Sequence, residues 1–113
     1  MTFGERLRQL RLERKINQRE LAARVKIDFT YLSKIENNRM PPPAAGTIVK
    51  LAGALDVHPD ELLLLAEKVP SDVNAVITRS TALPAFLRTI HDLNDEEIKE
   101  LGTYAQRMRA RRK

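Results

Sequence analysis

The sequence contains no cysteine and no tryptophan, and only 4% of its 113 residues are aromatic. Without cysteine the chain can form no disulfide and offers no thiolate to a metal. The scarcity of aromatic residues predicts an aliphatic core. The longest apolar run, residues 62–66, is far shorter than the roughly 20 residues of a membrane-spanning helix. The first ten residues lack the apolar region of a signal peptide, so we expect a cytoplasmic protein with no membrane partner.

Residues suited to catalysis or metal binding are few and scattered. The two histidines, His58 and His91, are far apart and have no second ligand at metal-binding spacing. With only four glycines, the chain has no glycine-rich loop that could bind a phosphate. The acidic cluster at residues 92–97 lies at a predicted helix start, where carboxylates stabilise the helix dipole. We therefore predict a protein that is not an enzyme and has no cofactor and no metal site.

The formal net charge of +5 is unevenly distributed along the chain. Residues 1–66 carry 11 basic and 8 acidic side chains, which gives +3. Residues 67–106 carry 4 against 7, which gives −3, and residues 107–113 carry 5 bases and no acid. A basic first segment is compatible with a polyanionic partner. The basic tail could contact DNA phosphates, or it could be the solvated end of the last helix.

The periodicity of apolar residues indicates helices throughout, and no stretch alternates with the period of a strand. A capping box at Thr2 predicts a first helix over about 3–14. A second helix is predicted to begin at Gln18, and a third to follow a cap at Asp28. The prolines after Met40 interrupt the pattern. Two further helices are predicted over about 44–55 and from Pro59. The chain is thus predicted to be all-α.

The second half of the chain is predicted to be a separate helical segment. We expect a helix-turn-helix domain over 1–66, a linker over 67–72 and a helical oligomerisation segment over 73–113. A capping box at Asn94 marks the start of the last helix. Helices this few rarely bury their apolar faces alone, so self-association is expected, although they could fold back onto the first domain. The predicted dimerisation residues share one apolar face: Leu83, Phe86, Leu87, Ile90, Leu93, Ile98 and Leu101.

Residues 18–36 have the pattern of a DNA-binding helix-turn-helix. Ala22 is the small residue that allows the third helix to cross closely over the second. A short turn, "VKID" at 25–28, joins the two helices. The apolar residues that hold the pair together are Leu21, Val25, Ile27, Leu32 and Ile35.

The stretch "LRQLRLERKINQRELAARVKIDFTYLSKIENNRMPPP", followed by "TIVKLAGALDVHPDELL", resembles the Xre family of repressor and Cro-like helix-turn-helix proteins. The resemblance covers residues 3–66 with every element in order. It implies a five-helix lambda-repressor-like domain. One departure is Lys26, which replaces the glycine usual in the turn. A left-handed backbone at a lysine costs on the order of 1 kcal/mol.

The resemblance also implies which residues contact DNA. In such proteins the third helix lies in the major groove, which assigns base contacts to Phe29, Thr30, Tyr31, Ser33 and Lys34. Lys34 can donate to guanine, and Thr30 or Phe29 can contact a thymine methyl group. Phe29 and Tyr31 could instead pack against neighbouring helices. The residues expected to contact phosphates are Asn17, Gln18, Asn37, Asn38 and Arg39.

Arg11 and Glu36 match family positions that pair with each other across the first and third helices. The resemblance therefore implies a structural ion pair, in which Arg11 could also lie near a phosphate. Glu36 is not expected to contact DNA, because a carboxylate would repel a phosphate.

Xre proteins bind pseudo-palindromic double-stranded DNA as homodimers, so the resemblance implies a nucleoid-associated repressor that regulates its own operon. The architecture also resembles short repressors paired with ImmA/IrrE-type metallopeptidases, such as DdrO and CapH. That subgroup implies a cleavage region at Phe86, Leu87 and Arg88. Two alternatives stay open. One is an antitoxin that neutralises a protein toxin through its C-terminal helices, and the other is a restriction-modification controller.

Overall fold

The computed structural model describes residues 1–112, and Lys113 of the basic tail lies outside the described residues. The chain divides into two compact units, Met1–Asn74 and Ala75–Lys113. The described residues contain helices and no strand, which confirms the predicted all-α class. The helices are α1 (Phe3–Glu13), α2 (Gln18–Val25), α3 (Phe29–Glu36), α4 (Ala45–Ala54), α5 (Asp60–Leu65), α6 (Ser71–Ile77), α7 (Ala82–Thr89) and α8 (Asp95–Arg111).

The first unit encloses an aliphatic core. Helix α1 packs against α3 and α5, α2 packs against α3 and α4, and α4 packs against α5. The small side chain of Ala22 is buried on α2, a helix that packs against both α3 and α4. The largest fully buried side chains are Leu7, Leu21, Leu32, Ile35, Ile48, Leu51, Leu55, Leu62 and Leu63.

Polar side chains fix the starts of three helices. Thr2 Oγ1 accepts from the Glu5 N–H at 3.1 Å, and Glu5 Oε1 accepts from the Thr2 N–H. These two bonds complete the predicted capping box of α1. Asn17 Oδ1 accepts from the Glu20 N–H at 2.8 Å at the start of α2. Asn94 and Glu97 form the equivalent box at α8. Asp28 occupies the N-cap position of α3 as predicted, but its side chain makes no capping hydrogen bond.

The five helices of the first unit end without glycine. A residue in the left-handed conformation follows each helix, and the next residue donates its N–H back to the last helical turn. After α2, for example, Lys26 has φ 59° and Ile27 donates to the Ala22 carbonyl at 3.0 Å. Such ends usually carry glycine, because a Cβ is disfavoured there. The five left-handed residues are Lys15, Lys26, Asn38, Asp56 and Glu67.

Replacing Lys26 with glycine is expected to stabilise the protein. The substitution removes the Cβ that disfavours the left-handed backbone, so the free energy of unfolding should rise by about 0.5–1 kcal/mol. The matched control is Lys26→Ala, which removes the charge but keeps the Cβ. Urea denaturation of the three proteins tests this, and an equal gain in both variants would show that charge, rather than backbone conformation, limits stability here.

The second unit has a different character. None of the side chains of α7 and α8 is buried, and α6, which crosses the division between the units, has none either. Large apolar side chains therefore face solvent in the isolated chain, including Phe86 at 44% and Tyr104 at 58% exposure. No helix among residues 1–112 is long and apolar enough to cross a membrane.

Candidate nucleic-acid interface

Helix α3 divides its residues between the core and the surface. Leu32 and Ile35 are buried, because they lie three residues apart on the face that packs against α1 and α2. Thr30 and Lys34, at the complementary positions, are exposed. The other three predicted base-contacting residues, Phe29, Tyr31 and Ser33, are half-buried. All five stay predictions as DNA contacts, and Thr30 and Lys34 are the most accessible of them.

A buried hydrogen-bonded network joins α1, α2 and α3 next to this face. The Arg11 guanidinium donates to both carboxylate oxygens of Glu36, with Nε–Oε2 at 2.8 Å and Nη2–Oε1 at 2.9 Å. Arg11 Nη1 also donates to the Ile16 carbonyl at 3.0 Å. Gln18 Nε2 donates to Glu36 Oε1 at 3.0 Å. The two-point contact fixes the orientation of α3 relative to α1 more firmly than a single bond could.

This network changes what Gln18 can offer to DNA. One N–H of its side-chain amide donates to Glu36, so the groups left for a phosphate are the second N–H of that amide and the N–H groups of the first backbone turn of α2. Asn17 uses Oδ1 as the cap of α2, and its Nδ2 group is left as a donor. Asn37 turns back onto its own helix, with Nδ2 donating to the Ser33 carbonyl at 2.9 Å.

Two arginines that sequence reasoning did not single out belong to the same surface. Arg8 and Arg19 line an open depression together with Arg11, Asn17, Gln18, Phe29, Ser33 and Asn37. The Arg19 guanidinium lies 4.5 Å from the centre of the Phe29 ring, within the range of a cation–π contact. A signal for both was present, since Arg8 precedes Arg11 by one helical turn and Arg19 follows Gln18 directly.

The segment after α3 carries the last two predicted phosphate contacts. Asn38 has φ 60° and closes the end of α3, where its N–H donates to the Ile35 carbonyl at 3.1 Å. Arg39 donates its backbone N–H to the Lys34 carbonyl at 2.8 Å. Both side chains are exposed.

Four exposed cations on α1, on α2, on α3 and directly after α3 have no carboxylate partner among the described residues. Within residues 1–112, Arg8, Arg19, Lys34 and Arg39 form no ion pair. Arg11 is the exception, because Glu36 neutralises it. In the same described residues no group of three or more metal-ligating side chains comes together. The arrangement is suited to binding a polyanion whose phosphates supply the missing negative charge.

The packing of α2 against α3 through a short turn, together with the exposed residues of α3, is typical of a helix-turn-helix protein. Residues 4–68 match the family described as a helix-turn-helix domain, and the chain belongs to that family. Its Xre-like character, predicted from the sequence, is confirmed at this level. The family consists of DNA-binding regulators rather than enzymes, in agreement with the non-enzymatic prediction.

Three similar proteins carry regulatory names. The chain is 40% identical over 65 residues to the HTH-type transcriptional repressor RghR of Bacillus subtilis (strain 168), and 41% identical over 64 residues to the uncharacterised regulator RghRB of the same organism. It is 39% identical over 58 residues to an immunity repressor protein of Bacillus phage phi105. These matches cover 58%, 57% and 51% of this chain but only 48%, 46% and 40% of the relatives. The chain thus spans about half the length of the curated relatives it matches.

Two solved structures are also similar. One is SinR, the master regulator for biofilm formation, in complex with DNA; it is 34% identical with a TM-score of 0.52, covering 55% of this chain and 98% of that one. The other is a complex of SinR protein and SinI protein, with 23% identity and a TM-score of 0.53, covering 96% of this chain and 99% of that one. The second likeness is one of fold alone.

Proposed function

We propose that this protein is a sequence-specific DNA-binding transcriptional repressor. The proposal rests on the exposed side chains of Thr30 and Lys34 on α3. It rests also on the unpaired cations Arg8 and Arg19, which line a depression together with Ser33 of the same helix. The similarity to RghR, to the phage immunity repressor and to DNA-bound SinR supports it. Electrophoretic or fluorescence binding of the purified full chain to DNA selected from a random pool is the direct test.

In the proposed complex α3 lies in the major groove. Lys34 donates to guanine O6 and N7, while Thr30 contacts a neighbouring base or a thymine methyl group. Arg8, Arg19 and Arg39 contact phosphates on either side of the groove, together with the first backbone N–H groups of α2. The phosphate contacts set affinity and register, and the α3 side chains set the sequence preference.

Replacing Lys34 with alanine is expected to weaken binding to the preferred sequence by roughly 1–3 kcal/mol and to relax the preference at one base pair. The reason is that a donor to a base edge distinguishes guanine from the other bases. Competition binding against a set of single-base variants of the selected sequence measures both effects.

Lys50→Ala is the matched control, because it removes the same exposed charge from α4 instead of α3. It should lower affinity for all sequences by the same small factor, through the loss of one positive charge. If Lys34→Ala behaves like this control, Lys34 does not read a base.

We propose further that the repressor acts as a dimer on a pseudo-palindromic operator. Helices α7 and α8 carry an exposed apolar face and bury nothing, so a second copy that covers this face supplies the missing core. The predicted residues on that face include Phe86, Leu87 and Ile98, which are 44%, 39% and 45% exposed. Two first units joined in this way would read two half-sites about one helical turn apart.

Truncation after Lys68 is expected to give a folded monomer. The fragment retains α1 to α5 and their core, and the Lys68 N–H donates to the Leu63 carbonyl at 2.9 Å to close the last helix. It lacks every helix of the proposed dimer contact, so its DNA affinity should fall sharply. Sedimentation of the fragment and the full chain at equal concentration tests this, and a dimeric fragment would place the contact in the first unit.

Regulation by cleavage is the second part of the proposed function. Phe86, Leu87 and Arg88 lie on α7, a helix of eight residues with no buried side chain, so local unfolding can expose its backbone to a protease. Cutting there would separate the first unit from α8 and dissolve the dimer. Co-expression with an ImmA/IrrE-type metallopeptidase, followed by mass spectrometry of the products, identifies the cleaved bond if the proposal holds.

A further inference from the structure

Helix α8 carries a row of apolar residues whose spacing is the same in both directions along the helix. Ile98, Leu101, Ala105 and Met108 are separated by three, four and three residues, so they share one face of the helix. The row is symmetric about position 103. A second α8 that runs in the opposite direction can therefore match it residue for residue.

Side-chain size along the row favours the antiparallel arrangement. When two copies are antiparallel, Leu101 of one lies opposite Ala105 of the other, so a large side chain meets a small one at both central positions. When they are parallel, Ala105 meets Ala105, which leaves a void at that level of the interface.

The acidic and basic residues of α8 lie at opposite ends of the helix, and this separation also favours the antiparallel arrangement. Residues 95–102 carry four acids and one base, which gives −3, whereas residues 103–112 carry four bases and no acid, which gives +4. Antiparallel copies place the acidic end of each helix beside the basic end of the other. Parallel copies place like charges together. Both arrangements keep the apolar row in contact, so the charges distinguish between them.

The favourable effect of end charges on a helix's own dipole does not account for the whole pattern. That effect is confined to the first and last turns. Glu100 lies beyond the first turn and Arg107 lies before the last one. Glu100 nevertheless has the same negative charge as the first turn, and Arg107 has the same positive charge as the last. Neither forms an ion pair within residues 1–112, and both line a shallow groove on α8 beside Leu101 and Tyr104.

We infer that two copies of the chain associate through α8 in an antiparallel pair centred on Thr103. Ile98 of each copy packs near Met108 of the other, Leu101 packs against Ala105, and Glu100 lies beside Arg107. The inference rests on the dimer of the proposed function and adds its orientation. It identifies the partner of the apolar row on α8 as a second α8.

Disulfide trapping tests the orientation directly, because the natural chain has no cysteine. We expect Ile98→Cys mixed with Met108→Cys to form a heterodisulfide under mild oxidation, and each variant alone to form few disulfides. A parallel pair would give the opposite result, with each variant cross-linking to itself. Mass spectrometry of the linked peptides distinguishes the two outcomes, and self-linking of Ile98→Cys would overturn the inference.

A charge exchange on the full-length chain gives an independent test. Glu100→Lys should weaken the dimer by roughly tenfold, because it places a second cation beside Arg107 at two symmetric sites. Adding Arg107→Glu should restore the affinity, since opposite charges again face each other. Parallel copies would show no such restoration. Sedimentation equilibrium measures the dimer affinity, and circular dichroism confirms that each variant keeps its helices.

These experiments are separable from the proposed repressor function, because none of them involves DNA. A dimer that binds an operator but links only Ile98 to Ile98 would leave the repressor intact and refute the antiparallel pair. A chain that stays monomeric at high concentration would refute both the pair and the proposed dimer. An antiparallel dimer that binds no DNA would support the pair and contradict the proposed function.

Discussion

Replacing Glu36 with alanine is expected to lower the free energy of unfolding by about 3–5 kcal/mol, close to the whole stability of some small domains. The substitution leaves the Arg11 guanidinium buried, with only the Ile16 carbonyl as an acceptor. It also removes the acceptor of the Gln18 amide. Water reaches the Arg11 guanidinium poorly, so the loss of its carboxylate partner costs more than the loss of an exposed ion pair.

Glu20→Ala is the matched control for this prediction. Glu20 also pairs with an arginine, Arg24, at 2.6 Å, but both side chains are nearly half exposed. Its removal should cost less than about 1 kcal/mol. Urea denaturation of the two variants gives the comparison, and similar losses in both would mean that burial of the Arg11–Glu36 pair adds nothing to stability.

A double variant separates the value of the ion pair from the cost of breaking it. Replacing Arg11 and Glu36 together with methionine removes both charges and keeps the volume filled, so much of the stability lost in Glu36→Ala should return. The Ile16 carbonyl still loses a donor, and the recovery should therefore be incomplete. A double variant as unstable as the single one would show that the pair is favourable in itself.

The sequence predicted those parts of the fold that depend on local pattern. Apolar spacing located the five helices of the first unit, because each helix must bury one face. Polar caps at Thr2 and Asn94 located two helix starts, because the first N–H groups of a helix need an acceptor. The left-handed conformation at Lys26 was expected from the family resemblance, which implies a glycine in this turn.

Features that depend on the approach of distant residues were harder to predict. Arg19 stacks on Phe29 because α2 and α3 pack together, and neither residue type predicts the contact from the sequence. The Gln18 amide turns inward because Glu36 is buried within its reach. The residues that contact DNA stay predictions, since exposure shows which side chains are accessible but not which base each one meets.

Gly4 is the clearest case of a role that the sequence did not reveal. It lies in the first turn of α1, where any good helix former would satisfy the local pattern. The structure buries it against the end of α3. A Cβ at this position would overlap the Ile35 carbonyl oxygen and would lie 2.8 Å from Asn38 Oδ1 and 3.0 Å from the Glu36 carbonyl oxygen. Two of these three atoms belong to the backbone, which cannot rotate away.

Gly4→Ala is therefore expected to destabilise the protein by about 3 kcal/mol, at the upper end of the usual cost of overpacking. Helix α1 must move away from α3, and that movement strains the Arg11–Glu36 bonds between the same two helices. Because α3 carries the proposed base contacts, DNA affinity should fall as well. Thermal or urea denaturation measures the first effect, and binding to the selected sequence measures the second.

Gly53→Ala is the same chemical change as Gly4→Ala, but it is expected to stabilise the protein. Gly53 lies within α4, and a Cβ there would have nothing within 4 Å. Alanine is favoured over glycine inside a helix by about 1 kcal/mol, so this variant should be more stable than the natural protein. The two substitutions are expected to change the free energy of unfolding in opposite directions. This difference separates the effect of the contact between α1 and α3 from the effect of helix propensity. Stabilisation by Gly4→Ala would show that the two helices can separate without cost.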